Sequence, residues 1–188
     1  MNFYLEDLID DILNNKKEKE EEDDAIEQID GFNRLVRYLI QSYSCHDINY
    51  KYTNYLLKDE KVKIAFYCMD FEFSIFNCPA LFLYRKNFDR KTNEIKYYLL
   101  LICTKRKFRN QGYASKLLDS FIERIKQENI NKNGIKIKII LSSTEESVLF
   151  YESYGFRWTS ESLTDHPLLM DYEKHQEEKE YFILELLI

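Results

Sequence analysis

Glycine and proline are scarce in this chain of 188 residues, which has 4 Gly and 2 Pro. Flexible linkers and low-complexity segments are rich in these residue types, so their scarcity argues against both. Apolar runs long enough to cross a bilayer are missing too, and acidic residues at positions 6, 7, 10 and 11 stand where a signal peptide would carry positive charge. We therefore expect an intracellular protein, cytoplasmic with a nuclear location left open, that does not contact a membrane.

Cysteine is also sparse, and its positions form no C-x-x-C pair and have no histidine at zinc-finger spacing: Cys45, Cys68, Cys78 and Cys103. We predict no metal site and reduced thiols. Basic residues are outnumbered, 27 Lys and Arg against 33 Asp and Glu, which gives a net charge of −6. This balance disfavours nucleic-acid binding and mildly favours cationic partners such as amines.

The spacing of apolar residues predicts helices first and strands later. Residues 1–45 follow a helical period twice, so we predict a helical amino-terminal part. No linker interrupts the chain, so we predict a single domain over residues 1–188 with its core in 62–188. Runs of β-branched and aromatic residues predict an antiparallel meander of three strands: Val62–Met69, Ala80–Arg85 and Ile95–Cys103.

Further along the chain, helical and strand patterns alternate. Residues 117–125 carry a helical apolar stripe that we expect Asn133 and Gly134 to terminate. Residues 135–141 and 181–188 predict two more strands. Between these strands a helix is expected from about Thr144 to near Gly155, and the pair Ser143 and Glu146 has capping-box spacing.

A turn with one glycine separates the apolar run Tyr97–Cys103 from the helical pattern that begins near Ser115. Its sequence is Arg109-Asn110-Gln111-Gly112-Tyr113-Ala114. Backbone N–H groups at a helix start have no intrahelical acceptor, and the helix dipole adds positive potential. The turn therefore predicts a phosphate or pyrophosphate site, although it is neither a P-loop nor a G-x-G-x-x-G pattern.

This turn and a second block resemble two motifs of one enzyme family. The pattern R-x-x-G-x-A at Arg109–Ala114 is similar to the Q/R-x-x-G-x-G/A loop of the GNAT superfamily, the GCN5-related N-acetyltransferases. The block Thr144–Phe156 resembles the family's N-x-x-A-x-x-L/F-Y-E-x-x-G-F, with Thr144 in place of Asn and Ser147 in place of Ala. The order strand, loop, helix, strand, block is also the family's order, and the resemblance covers residues 95–188.

The resemblance implies an α/β (α+β) fold of the GNAT type. Such a fold has a mixed, mostly antiparallel central sheet flanked by helices, with a parallel strand pair splayed at the site of acetyl-coenzyme A (acetyl-CoA). It also implies that backbone groups at the end of one strand pair with the pantetheine arm and that the loop wraps the pyrophosphate. The cofactor-binding residues implied are Ile102, Cys103, Thr104, Arg109, Asn110, Gln111, Gly112, Tyr113, Ala114, Ser115, Thr144 and Ser147.

The resemblance also assigns a catalytic acid. Tyr151 stands at the family's general-acid position, where a phenol can return a proton to the departing coenzyme A thiolate. Tyr154, three residues on, is expected to be structural. A covalent acetyl-cysteine at Cys103 is an alternative route.

The sequence does not identify the general base. A carboxylate is one option, and a water relay to backbone carbonyls is another. The carboxylate candidates are Asp70, Glu72 and Glu94. All three histidines lie outside both motifs and are expected at surface or packing positions: His46, His166 and His175.

Together these features predict an N-acetyltransferase that moves the acetyl group of acetyl-CoA to a primary amine by direct attack in a ternary complex. The acceptor stays open between a small amine, a polyamine and a protein lysine or N-terminus, and we expect residues 164–179 to line its groove. The alternatives are a catalytically inactive GNAT-like module that binds acetyl-CoA or a partner protein, and a nucleotide-binding α/β domain. The oligomeric state is open between monomer and homodimer.

Overall fold

The computed structural model of the chain describes residues 2–3, 38–39, 42–43, 55–69, 75–130, 132, 134–173 and 180–188. Its strands are β1 (Asn2–Phe3), β2 (Val62–Tyr67), β3 (Ala80–Asp89), β4 (Glu94–Thr104), β5 (Lys136–Thr144), β6 (Arg157–Trp158) and β7 (Tyr181–Leu187). Its named helices are α1 (Tyr113–Asn129), α2 (Glu145–Glu152) and α3 (Pro167–Glu173). No helix in these described ranges is both long and apolar enough to cross a bilayer.

The strands are hydrogen-bonded in the order β1-β2-β3-β4-β5-β7-β6. Strands β4 and β5 are parallel, because the chain passes through α1 between them. The pairs β1–β2, β5–β7 and β6–β7 are antiparallel. The fold is therefore mixed α/β, with a mostly antiparallel sheet and one parallel pair, which confirms the predicted fold class.

The first of two compact units comprises Met1–Phe82 and Ile102–Leu117. Its strand β2 buries Ile64, Ala65 and Phe66 in succession, as a strand covered on both faces does. A buried hydrogen bond runs from the Tyr43 hydroxyl to the carbonyl oxygen of Cys78 at 2.8 Å. This bond fixes helical residues 42–43 to the chain that enters β3.

The second unit comprises Leu83–Leu101 and Leu118–Ile188. Its core forms where the apolar stripe of α1 meets β3 and β4. The ring of Phe121 lies 4.9 Å from that of Tyr84 and 6.1 Å from that of Tyr97, centroid to centroid. Because side chains alternate across a strand, Tyr97 faces α1 and the next residue, Tyr98, faces away from it.

Most predicted elements of residues 62–188 are confirmed. Strand β3 extends to Asp89, beyond its apolar part, because a turn held by the Asp89 carboxylate closes the hairpin to β4; Lys91 N–H donates to this carboxylate at 2.9 Å. The predicted helices of residues 1–45 lie largely outside the described residues. Residues 38–39 and 42–43 are described, and they are helical. The short elements β1, β6 and α3 were missed, since two to seven residues show no clear period.

The capping-box prediction at Ser143 is wrong. Helix α2 begins after Thr144 as expected, but Thr144 makes no side-chain capping bond, and the Ser143 hydroxyl donates to the Thr144 carbonyl at 2.9 Å. Ser143 belongs to β5, whose extended backbone turns its hydroxyl away from the helix. The helix ends at Glu152, and Gly155 follows in a left-handed conformation with φ of +90°.

The prediction of reduced thiols is also wrong for the described cysteines. Cys68 and Cys78 are joined by a disulfide, with their Cα atoms 4.2 Å apart, and Cys103 is disulfide-bonded as well. Cys68 follows β2 and Cys78 precedes β3, and these two strands are neighbours. Their connection therefore returns one cysteine to the other, which spacing along the chain does not reveal.

Candidate active site

In the second unit, the parallel strands β4 and β5 stop pairing before they end. Their ladder runs from Glu94–Lys136 to Leu99–Leu141. Strand β5 continues to Thr144, and over residues 142–144 it is paired with β7 on its other edge. The inner edge of this end of β5 is therefore beyond the parallel ladder, where an extended ligand can pair with a backbone edge.

In the first unit, the turn before α1 has the backbone geometry of an anion site. Asn110 and Gly112 have φ of +60° and +75°, and the first bond of the helix runs from Lys116 N–H to Gly112 O at 3.0 Å. The N–H groups of residues 113–115 precede that bond, so they have no intrahelical acceptor. A Cβ built on Gly112 meets nothing within 4 Å, so the left-handed backbone, and not crowding, explains the glycine.

The basic side chains at this turn differ in their contacts and in their exposure to solvent. The Arg109 guanidinium donates to the carbonyl oxygens of Thr104 at 3.4 Å and Tyr43 at 3.3 Å, and thereby braces the turn against its own unit. Arg106 and Lys107 are exposed. Phosphate binding by the Arg109 side chain stays a prediction, because it would require these two bonds to open.

The end of β4 carries the residues predicted to accompany the pantetheine arm. Ile102 and Thr104 are half-buried and Cys103 is buried, as alternation along a strand requires. The disulfide at Cys103 leaves no thiol there for covalent acyl transfer. A role for these residues through backbone groups is compatible with their packing and stays a prediction.

Tyr151 lies near the carboxyl end of α2 and is 8% exposed. Its ring packs edge-on against Phe150 and Phe156, at centroid distances of 5.1 and 5.8 Å. No hydrogen bond to its hydroxyl occurs within the described part of the chain, and burial raises the pKa of this phenol. The group therefore stays protonated through the neutral range, as a proton donor must.

Two further predicted positions lie at the start of α2. Thr144 and Ser147 are both half-buried. Their carboxylate neighbours Glu145 and Glu146 are exposed and occupy the first turn of the helix, where they complement its dipole. Binding of coenzyme A by Thr144 or Ser147 stays a prediction.

Glu94, one of the candidate carboxylate bases, forms ion pairs in the structure. Glu94 is 8% exposed and lies at the first residue of β4, where its carboxylate is 3.6 Å from Lys96 Nζ and 3.9 Å from Lys138 Nζ. It belongs to a network of ion pairs at that end of the strand. Asp70 and Glu72 lie outside the described residues, as do His46 and His175.

A linked set of side chains that the sequence analysis missed lies on the face of β4 away from α1. His166 is 3% exposed, and its Nε2 lies 2.8 Å from the Glu161 carboxylate. Its Nδ1 lies 3.5 Å from the hydroxyl of Tyr98. No sequence motif joins these three residues, because they come from a strand and from two points of the connection that leads to α3.

Comparison with known proteins finds a matching family model and solved structures of similar fold. The family model described as Acetyltransferase (GNAT) domain matches residues 88–174. No curated protein matches the sequence. Similar solved structures include Tetrahymena GCN5, at 13% identity and a TM-score of 0.51, with 82% of this chain and 87% of that chain covered.

Two other structural neighbours come from a bacterium and a plant. The ribosomal-protein-S18-alanine N-acetyltransferase from Escherichia coli is 15% identical, with a TM-score of 0.52 over 81% of this chain and 86% of that one. Arabidopsis thaliana Naa50, solved with the bisubstrate analogue CoA-Ac-MVNAL, is 17% identical, with a TM-score of 0.51 over 89% and 95%. At these identities the likeness is one of fold. Residues 88–174 match the GNAT acetyltransferase domain, and these neighbours share the fold of the chain.

Proposed function

We propose that the protein is an N-acetyltransferase that transfers the acetyl group of acetyl-CoA to a primary amine by direct attack in a ternary complex. The observation that carries the proposal is the end of the β4–β5 ladder at Leu99–Leu141, beyond which β5 continues. A thioester held at that point by backbone groups would be fixed in orientation, which supplies much of the rate of a two-substrate reaction.

The turn before α1 supports the phosphate end of this proposal. The N–H groups of residues 113–115 lack intrahelical acceptors, and the space around Gly112 is open. A pyrophosphate can accept from several such groups at once and gains from the helix dipole. The backbone of Ile102, Cys103 and Thr104 would pair with the pantetheine arm that follows.

The Tyr151 hydroxyl supports the proposed acetyl transfer as a proton donor. It is buried among aromatic rings, and this burial raises the pKa of the phenol, so the group keeps its proton in the neutral range. As the carbon–sulfur bond breaks, this hydroxyl would donate its proton to the sulfur and recover one from solvent. Attack by the amine needs no covalent enzyme intermediate, and the disulfide at Cys103 agrees with that.

The acceptor class stays broad within this proposal. Peptide amines enter the candidate list because Naa50 was solved with a CoA-peptide analogue and the bacterial neighbour is named for an alanine of a ribosomal protein. Small amines and polyamines remain on it, since the net charge of −6 favours cations. Residues 164–173, with exposed Asp165, form part of the connection predicted to line the acceptor groove.

Tyr151→Phe tests the proposal. Turnover should fall by ~100-fold or more, because the leaving thiolate loses its proton donor, while the affinity for acetyl-CoA stays the same. The measurement is thiol release from acetyl-CoA with spermidine and with peptides that have free N-termini, together with calorimetric binding of acetyl-CoA.

Tyr154→Phe is the matched control, since this half-buried tyrosine lies at the same helix end and packs against Phe150. It should keep wild-type turnover. Equal turnover of wild type and Tyr151→Phe would remove the assigned acid. Acetyl-CoA binding without thiol release from the wild type, with any acceptor, would favour the inactive binding module.

A further inference from the structure

The strongest cluster without an assigned role in the second unit consists of three side chains in contact: Tyr98, His166 and Glu161. Tyr98 is 6% and His166 3% exposed, whereas the Glu161 side chain is 50% exposed. The cluster therefore runs from a buried strand residue to a carboxylate in solvent. Such an arrangement of titratable groups can conduct protons out of an interior.

The protonation of the histidine ring follows from its partners. A carboxylate only accepts hydrogen bonds, so His166 Nε2 carries a proton and donates it to Glu161 Oε2 at 2.8 Å. In the neutral ring, Nδ1 is then left as an acceptor, and the Tyr98 hydroxyl donates to it at 3.5 Å. Each member is oriented to pass a proton from the tyrosine toward solvent.

The backbone holds the histidine rigidly. His166 N–H donates to Leu163 O at 3.0 Å, and the His166 carbonyl accepts from Leu169 and Met170 N–H at 2.8 and 3.0 Å. The preceding turn is closed by a capping box between Ser162 and Asp165. These bonds fix the backbone of His166 between the turn and α3, as a relay requires.

The position of Tyr98 connects the cluster to the reaction. Tyr98 pairs with Ile140, one step before the last parallel pair, Leu99–Leu141. It thus lies in the ladder, one residue before the ladder ends at Leu99, and it faces away from α1. Burial raises the pKa of its phenol, so the resting group is neutral and able to pass a proton on.

Resting on the proposed function, the geometry points to a proton relay in which Tyr98, His166 and Glu161 remove the proton of the acceptor amine. The ammonium proton moves to the Tyr98 oxygen while the Tyr98 proton moves to His166 Nδ1, and Glu161 stabilises the resulting imidazolium. The Nε2 proton then leaves through Glu161 to solvent. This supplies the general base that neither motif contains.

The relay also balances the rest of the reaction. The amine nitrogen forms its bond to the carbonyl carbon, and the carbon–sulfur bond breaks. The second nitrogen proton passes to solvent, because His166 then carries its proton on Nδ1, and exchange with solvent restores the Nε2 proton before the next turnover. The sulfur receives a proton from Tyr151, which solvent replaces. The net result is one amide, one thiol and one proton released for each ammonium acceptor consumed.

The test compares kcat, KM for acetyl-CoA and the pH–rate profile of three variants with an equimolar library of pentapeptides that have free N-termini. Tyr98→Phe and His166→Gln should each lower kcat by ~100-fold and leave the KM for acetyl-CoA unchanged. Glu161→Gln, at an exposed position that does not endanger folding, should lower kcat by roughly 5–10-fold. The pH–rate profile should differ between the wild type and His166→Gln, in which the carboxylates beside the ring, those of Glu161 and Asp165, are retained.

Tyr97→Phe is the matched control, because it removes the neighbouring hydroxyl on the other face of β4, which lies near Glu128 and Asn129. It should change kcat less than twofold. Imidazole in the buffer should restore part of the activity of His166→Gly, which a structural role would not allow. Unchanged kcat and pH profile in Glu161→Gln and His166→Gln would overturn the relay and leave the acetyltransferase standing. Absence of wild-type turnover with these peptides and also with spermidine and small amines would overturn both.

Discussion

Lys105 is a cation buried directly after β4. Its side-chain amine donates to the Tyr38 hydroxyl and to the Phe76 carbonyl oxygen, both at 3.0 Å, and it lies over the Tyr43 ring, 5.2 Å from the centroid. Burial, helped by the charge of Lys107, lowers the pKa of this amine to about 8. In the unfolded chain a lysine keeps its pKa near 10.4, so folding favours the neutral amine.

This difference predicts a pH-dependent stability. Between about pH 8 and pH 10 the unfolded chain binds more protons than the folded one, so the free energy of unfolding rises with pH in that window. Lys105→Met should abolish the rise. Above that window the buried Tyr43 works in the opposite direction, because burial raises the pKa of its phenol and the unfolded chain therefore loses this proton at lower pH.

Urea denaturation at several pH values from 7.5 to 9.5 measures this effect. Lys136→Met is the matched control, since Lys136 is an exposed lysine of β5, and it should keep the wild-type rise. A rise of the same size in Lys105→Met would show that Lys105 is charged in the folded protein.

At the scale of elements, a comparison of two glycines with similar backbone conformations distinguishes a conformational requirement from a role in ligand binding. Gly112 and Gly134 have φ of +75° and +79°, and a Cβ on either meets nothing within 4 Å. Gly112 precedes α1 and Gly134 precedes β5. Both resist substitution for the same conformational reason, but only Gly112 belongs to the turn proposed to hold phosphate.

Gly112→Ala and Gly134→Ala should therefore lower the free energy of unfolding equally, by about 1–2 kcal/mol, because alanine is strained in the left-handed region. Only Gly112→Ala should also weaken acetyl-CoA binding, since its methyl group enters the space offered to the pyrophosphate. Denaturation and calorimetry of both variants provide the comparison. Equal acetyl-CoA affinity in the two variants would place the phosphates elsewhere.

At the scale of the whole molecule, the sequence predicted a helix or strand correctly wherever its apolar periodicity extended over enough residues. The apolar stripe of α1 and the strands β2, β3, β4 and β5 extend over six or more residues, and each was predicted near its observed place. The parallel pair was implied by the resemblance to the GNAT superfamily, and β4 and β5 have that orientation. Two-residue strands such as β6 have no period to detect.

Features that depend on residues distant in sequence could not be predicted. The pairing of Cys68 with Cys78 follows from the adjacency of β2 and β3. The contact of Tyr98 with His166 joins residues 68 positions apart. In both cases single residues of ordinary type acquire their roles from the sheet, so neither composition nor spacing distinguishes them beforehand.

The central claim is that the chain binds acetyl-CoA, and thermal denaturation with increasing acetyl-CoA tests it most directly. A ligand that binds only the folded state at a hundred times its Kd stabilises that state by about 2.7 kcal/mol, so the midpoint should rise steadily with concentration. ATP and NAD, the ligands of a nucleotide-binding domain, should give a much smaller rise. No rise with millimolar acetyl-CoA, or an equal rise with ATP or NAD, would contradict the account.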